Sequence, residues 1–111
     1  MRRSDEELVA DALMHLCVLR KHLARGDLDD QTVADAVTPR LAAAIEALAS
    51  GTDELRTRAF GDDWPLMWAT RNRIAHGYAY IDMSIVTATV QQDLPWLEDR
   101  LREEATRFAR E

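Results

Sequence analysis

Arg71, His76 and Tyr78 fall within one short stretch, Arg71-Asn72-Arg73-Ile74-Ala75-His76-Gly77-Tyr78. A guanidinium such as that of Arg71 grips a phosphate through two parallel N–H bonds. The imidazole of His76 titrates near neutral pH, where it can take or give a proton. Together they suit one reaction, the cleavage of RNA by its own 2′-hydroxyl. A base or acid handles the protons, a fixed cation steadies the charge building on the phosphate, and no metal is needed. From Pro65 to Ile81 there is no Asp or Glu, in a chain that carries 20 of them. The formal charges in that window are Arg71 and Arg73, with titratable His76 beside them, which fits a segment kept for an anion. Arg-x4-His alone is also the pattern of an ordinary surface arginine near a helix-end histidine. The carboxylate-free window and Tyr78 at its fixed offset raise the stretch above that reading.

On one ideal helix, residues five apart point roughly 140° away from each other. Arg71 and His76 therefore cannot both face one small ligand from a continuous helix. Two geometries restore convergence. The helix can end at His76, as Gly77 suggests, letting the imidazole swing round. Alternatively, a second copy of the same helix can bring its own Arg and His alongside at a two-fold axis. Asn72 and His76 are four apart and share a face, so Asn72 is placed to orient the imidazole.

The elements that must position this stretch are helical. Ser4-Asp5-Glu6-Glu7 has the form of a capping box. Leu8, Val9, Ala12, Leu13, Leu16, Leu19 and Leu23 then recur at helical spacing, predicting a first helix over about 5 to 25 that Gly26 stops. Asp29-Asp30 opens a second, with Val33, Val37, Leu41, Ala44, Ile45 and Leu48 as its stripe. Thr38-Pro39 interrupts it, as a kink or as a fresh start with Thr38 as N-cap. Thr52-Asp53-Glu54 starts a short helix that fades by Gly61. Asp62-Asp63-Trp64-Pro65 starts the helix carrying the motif, which Gly77 ends. Asp82 is the expected N-cap of the last helical region, which Pro95 kinks or divides. Its mixed charges from Glu98 to Glu111 suit a solvated face. With no competing strand signal, repeat or linker, the expectation is one all-α domain over 1–111, a bundle of four to five helices.

Composition bounds the function. The chain has 111 residues, 47% hydrophobic and 31% charged, with a net charge of −6. That balance excludes broad non-specific nucleic-acid binding, which needs Lys and Arg to neutralise phosphates. It leaves room for a local basic pocket and for a more basic protein partner. Cys17 stands alone, so no intramolecular disulfide is possible, and its apolar surroundings predict a buried structural thiol. The start of the chain has no signal-peptide core and no apolar run suggests a membrane span, so a cytoplasmic location is expected. His15 and His22 lie near one face of the first helix, with Asp11 four before His15, but two histidines without further ligands make a poor metal site. A polar margin of the core explains them better. Trp64 and Trp68 share a helix face, better suited to core or a dimer interface than to base stacking. Tyr80 is either a second phenol near the site or packing.

The run Met67-Trp68-Ala69-Thr70-Arg71-Asn72-Arg73-Ile74-Ala75-His76-Gly77-Tyr78, followed by Ile81-Asp82, Ile85-Val86 and Thr89-Val90-Gln91-Gln92-Asp93-Leu94-Pro95, resembles the HepT-like toxins of the DUF86 type, in the HEPN superfamily. Their Arg-x4-His-x-Tyr motif is matched by Arg71, His76 and Tyr78, and their Asp-Leu-Pro close by Asp93-Leu94-Pro95. The likeness is strongest over about 64 to 97. Ile45-Glu46-Ala47 only echoes a second-helix pattern ending Ile-Gly-Glu-Ala, without its Gly, and Pro39 interrupts that helix. The resemblance implies a HEPN-like up-and-down bundle acting as a homodimeric, metal-independent endoribonuclease that needs no cofactor. It would be the toxin of a type VII toxin–antitoxin pair, acting on tRNA or mRNA. The implied partner is a minimal nucleotidyltransferase antitoxin, MNT, which transfers AMP onto the motif tyrosine, here Tyr78. An anionic nucleotide there would occupy the substrate's place and repel its backbone. On this basis Arg71 binds the scissile phosphate, His76 acts on the 2′-hydroxyl or the leaving oxygen, and Asn72 and Arg73 support them.

A different class of function fits the same residues: a non-catalytic HEPN module that docks a nucleotidyltransferase and positions its substrate. Intact Arg71, Asn72 and His76 favour the ribonuclease. A plain dimeric scaffold would tolerate Arg71→Ala without consequence.

Overall fold

A computed structural model describes residues 3–76 and 83–111. Among these residues six helices follow one another, α1 (Asp5–Leu23), α2 (Gln31–Ala49), α3 (Asp53–Phe60), α4 (Trp64–His76), α5 (Met83–Ala88) and α6 (Leu94–Ala109). A 3-10 turn, Gly61–Asp63, joins α3 to α4, and a π-helical turn, Thr89–Asp93, joins α5 to α6. Among the described residues there is no strand, so the chain is the all-α bundle its periodicity predicts. Among the same residues no helix is long and apolar enough to cross a membrane.

α1 begins at the predicted capping box. The Ser4 hydroxyl accepts from the Glu7 amide at 3.2 Å, and the Glu7 carboxylate accepts from the Ser4 amide at 3.4 Å. This satisfies two of the amides that a helix start leaves unpaired. The helix ends at Leu23, two residues before the expected limit, because the Arg25 amide turns tightly onto the His22 carbonyl at 3.0 Å. Gly26 is therefore not the cap. A side chain there would stand 3.2 Å from Val33 Cγ2, so its bareness lets the link pass close over α2. Cys17 corrects a second expectation, being exposed rather than buried. It lies about 100° round the helix from buried Leu16, off the face carrying Val9, Ala12, Leu16 and Leu19.

α2 starts at Asp30, whose carboxylate accepts from the Thr32 amide at 2.9 Å. It then runs unbroken through Pro39 to Ala49. Thr38 is accordingly a buried mid-helix residue and not an N-cap. Val33 and Val37 before the proline, with Leu41, Ile45 and Leu48 after it, all enter the core. Burying such side chains contributes ~1.5–3 kcal/mol each, which outweighs the ~3 kcal/mol an interior proline costs. The end of α2 has no basic residue of its own. Arg56 of α3 supplies the cation, with Nη1 donating to the carbonyls of Leu48, Ala49 and Gly51 at 3.2, 3.0 and 2.6 Å. α3 starts at Thr52, whose hydroxyl accepts from the Leu55 amide at 3.1 Å and donates to Asp5 at 2.6 Å. It stops at Gly61, whose φ of 53° suits a residue without a Cβ.

α1 packs along α2, and α2 in turn along α4. α6 packs on α1 and meets α3 near the other end. The last helical region is divided, as Pro95 suggests: proline enters in the first turn of α6, directly after the π-helical turn. In that turn the Leu94 amide donates to the Thr89 carbonyl, five residues back. The wider turn has a reason in the pattern. Val86, Val90 and Leu94 are all buried at successive spacings of four. In a regular helix two such steps overshoot by roughly 80°, and the π turn takes up that drift before α6 settles to Leu94, Leu97 and Leu101.

The charged segment from Glu98 onward is only partly a solvated face. Glu98 and Glu104 are buried, with side chains 9% and 6% exposed. Glu98 accepts a fork from Arg20 of α1, Nε at 3.2 Å and Nη2 at 2.5 Å. Glu104 accepts from Arg58 of α3, Nε at 2.8 Å and Nη2 at 2.6 Å. α6 is thus tied by ion pairs to both elements it packs against. The expected stop at Gly77 and cap at Asp82 lie outside the described residues.

Candidate anion site on the motif helix

Phe60, Trp64, Trp68 and Arg71 build one ladder along α3 and α4. Spacings of four and three keep Trp64, Trp68 and Arg71 on one side of α4. Phe60 stacks on Trp64 and Trp64 on Trp68, each with ring centroids 6.1 Å apart. Both tryptophans are half-buried against the core, as their shared face predicts. The Arg71 guanidinium lies over the Trp68 ring, 4.8 Å from its centroid, where the negative face of the indole attracts it. Nη1 donates to Asn72 Oδ1 at 3.2 Å. Nη2 pairs with the carboxylate of Glu46, which reaches across from α2. Arg71 is left 22% exposed and Glu46 52%.

The hydrogen bond the structure gives Asn72 is therefore to Arg71, its neighbour. His76, the last residue of α4, is exposed, as is Arg73. α4 stays regular to that end, so Arg71 turns toward α2 while His76 points elsewhere. Among the described residues no hydrogen bond or ion pair joins them. Tyr78 and Tyr80 lie outside the described residues. Glu46 and Trp68 are the partners that the reading of the motif did not assign. Trp68 was signalled by its three-residue spacing from Arg71. Glu46 was visible only as part of the second-helix echo.

On α1, His15 makes a structural contact. His15 Nδ1 sits 3.0 Å from Arg40 Nη1. Burial foremost, then the Arg40 charge, holds the His15 pKa below its ordinary value, with Asp11 opposing in part. Such an imidazole is neutral and accepts from the guanidinium. Among the described residues no group of three His, Cys, Asp or Glu side chains could hold a metal.

A cleft of about 320 Å³ opens on another side of α4, between Leu41 and Ile45 of α2, Leu66, Met67 and Thr70 of α4, and Trp96. Leu66 at its edge is 68% exposed. The Thr70 and Thr89 hydroxyls that line it already donate to the carbonyls of Leu66 and Ile85, at 3.1 and 2.9 Å. Its other polar lining is Asp63 and Asp93. Acceptors and carboxylates repel a phosphate, so this cleft does not suit one.

Residues 9–104 match a family described as ribonuclease HepT-like. No curated protein and no solved structure matches the chain.

Proposed function

The chain belongs to the ribonuclease HepT-like family, and from that premise we propose that it is a metal-independent endoribonuclease toxin working in the cytoplasm on tRNA or mRNA. Arg71 is the phosphate-binding group and His76 the proton-transfer group. What supports this most directly is the state of Arg71: a guanidinium seated over Trp68 and steered by Asn72 is held in place before any ligand arrives. Preorganisation of that kind lets a cation stabilise charge without reorganising during the reaction.

In the proposed reaction His76 accepts the proton of the ribose 2′-hydroxyl. The freed oxygen attacks phosphorus, the bond to the 5′-oxygen breaks, and that oxygen leaves with the proton that the imidazolium gives back. The products are a 2′,3′-cyclic phosphate and a 5′-hydroxyl, with no net redox change and no water consumed. Arg71 holds the non-bridging oxygens as charge builds on them. Since one α4 points Arg71 and His76 apart, the working site draws its two groups from both copies of a homodimer. Control comes from an MNT-type nucleotidyltransferase antitoxin that places AMP on the Tyr78 phenol, with Asn72 and Arg73 supporting the site.

The test is RNA cleavage by the purified chain in the presence of a chelator. Arg71→Ala is expected to lower the rate by about 10²–10³, and His76→Ala by about 10²–10⁴. Full cleavage and toxicity by His76→Ala would refute the assignment. Intact mass reads the control step. Coexpression with the nucleotidyltransferase adds whole AMP units to the wild-type chain, and Tyr78→Phe abolishes the addition. An undiminished shift in that variant removes Tyr78 from its role.

A further inference from the structure

We propose that Glu46 is an exchangeable latch on Arg71, an internal carboxylate that occupies the guanidinium until an RNA phosphate displaces it. The inference rests on the reading of Arg71 as the phosphate-binding group.

Both terminal nitrogens of Arg71 are engaged, Nη1 by Asn72 and Nη2 by Glu46. A phosphate gripped bidentately needs two donors on one edge of the guanidinium. It must therefore take the position of the Glu46 carboxylate, because the ring of Trp68 covers one face and Asn72 is fixed next to Arg71 in the chain. The acid comes from α2, since α4 itself carries none between Pro65 and His76. Glu46 can leave. At 52% exposed it swings into water without unpacking anything, and an ion pair that open contributes little. Arg71 stays. Trp68 and Asn72 hold its head in place when the carboxylate has gone, so the exchange swaps one anion for another at a fixed cation.

The consequence concerns binding. Each phosphate that Arg71 takes from RNA leaves a carboxylate uncovered, which recruits a cation from solution and offsets the counterion that the phosphate releases. Glu46→Gln keeps the shape and an amide oxygen but removes the competing charge. RNA should then bind about threefold more tightly, the size expected for a lost exposed ion pair. The salt dependence should steepen by up to about 0.7 in log–log slope, the increment for one phosphate of a single strand.

Fluorescence anisotropy with a 2′-O-methylated RNA oligonucleotide measures this without cleavage, because the blocked 2′-oxygen cannot attack. The full chain is compared as wild type, Glu46→Gln, Arg71→Ala and the double variant, with circular dichroism confirming that each is folded. Tighter binding and a steeper slope in Glu46→Gln, both lost when Arg71 is also replaced, support the latch. Equal or weaker binding by Glu46→Gln, or a gain that survives in the Arg71→Ala background, overturns it. If Arg71→Ala weakens binding while Glu46→Gln changes nothing, the latch alone fails. If Arg71→Ala binds as the wild type does, the phosphate-binding reading of Arg71 falls with it.

Discussion

Arg58–Glu104 and Arg71–Glu46 are the same chemical pair in two settings. Each joins an arginine on one helix to a glutamate on another. In the first the carboxylate is 6% exposed, sealed between α3 and α6. In the second it is 52% exposed on the side of α2. Taking a charge out of water costs several kcal/mol, which only a permanent partner can offset. A carboxylate left in water never incurs that penalty, so its partner can come and go. Burial of the acid, more than the presence of the arginine, separates a tie that holds the bundle from a cation available to a ligand. Arg20–Glu98 falls with the first kind, its carboxylate 9% exposed.

The largest test of this contrast is a double dissociation. Arg71→Ala should remove nearly all cleavage, by about 10²–10³, while lowering the unfolding free energy from urea titration by less than about 1 kcal/mol, as expected for an exposed pair. A large loss of stability in that variant would put Arg71 with the structural pairs. Arg58→Ala should do the reverse. It strands Glu104 in the bundle and should cost about 2–3 kcal/mol, below the full penalty for a wholly buried pair because part of the site reaches water. Cleavage per folded molecule should hold. Glu104→Ala should be milder, about 1 kcal/mol, since the freed Arg58 is 29% exposed and can hydrate. Equal effects from the two partners would show that burial of the acid is not what matters.

The smallest effect is expected at His15. Its folded pKa is below the ordinary value, so the unfolded chain takes up the proton first as pH falls. The neutral imidazole's contribution is whole above the unfolded pKa, near 6.5, and is lost progressively as pH falls toward the folded value. Between about pH 7.5 and about pH 5.5 the wild type should lose slightly more stability than His15→Gln in urea unfolding. An identical decline in both would remove His15 from the pH response.

What was legible in the chain was local. The Ser4–Glu7 box, the Asp30 and Thr52 caps, the stripe of α2 and the Trp64–Trp68 face all depend on residues within one or two turns. Pro39 was ambiguous because its own turn argues for a break, while the stripe on both sides of it argues for continuity and prevails through packing on α1. Cys17 was misplaced because α1 is apolar over a wide arc, so its periodicity did not single out which leucines face inward. The ion pairs were out of reach for a different reason. Glu98 meets Arg20 across 78 positions and Glu104 meets Arg58 across 46, and no spacing rule connects such partners. The motif residues Arg71, Asn72, Arg73 and His76 could be singled out by type and spacing. Glu46, the acid on Arg71, is set by how α2 lies on α4.

The π-helical turn at Thr89–Asp93 acts as a phase setter between the two halves of the last helical region. It fixes the angle at which α6 leaves, and with it the direction in which Glu98 and Glu104 face their arginines. Tightening the turn to a regular helix without losing a residue would rotate every downstream side chain by roughly 80° relative to α5. Both carboxylates would then leave their partners, and Leu97 and Leu101 would leave the core. Exposed Gln91 and Gln92 can change identity at little cost, because the wider backbone turn carries the phase and not their side chains.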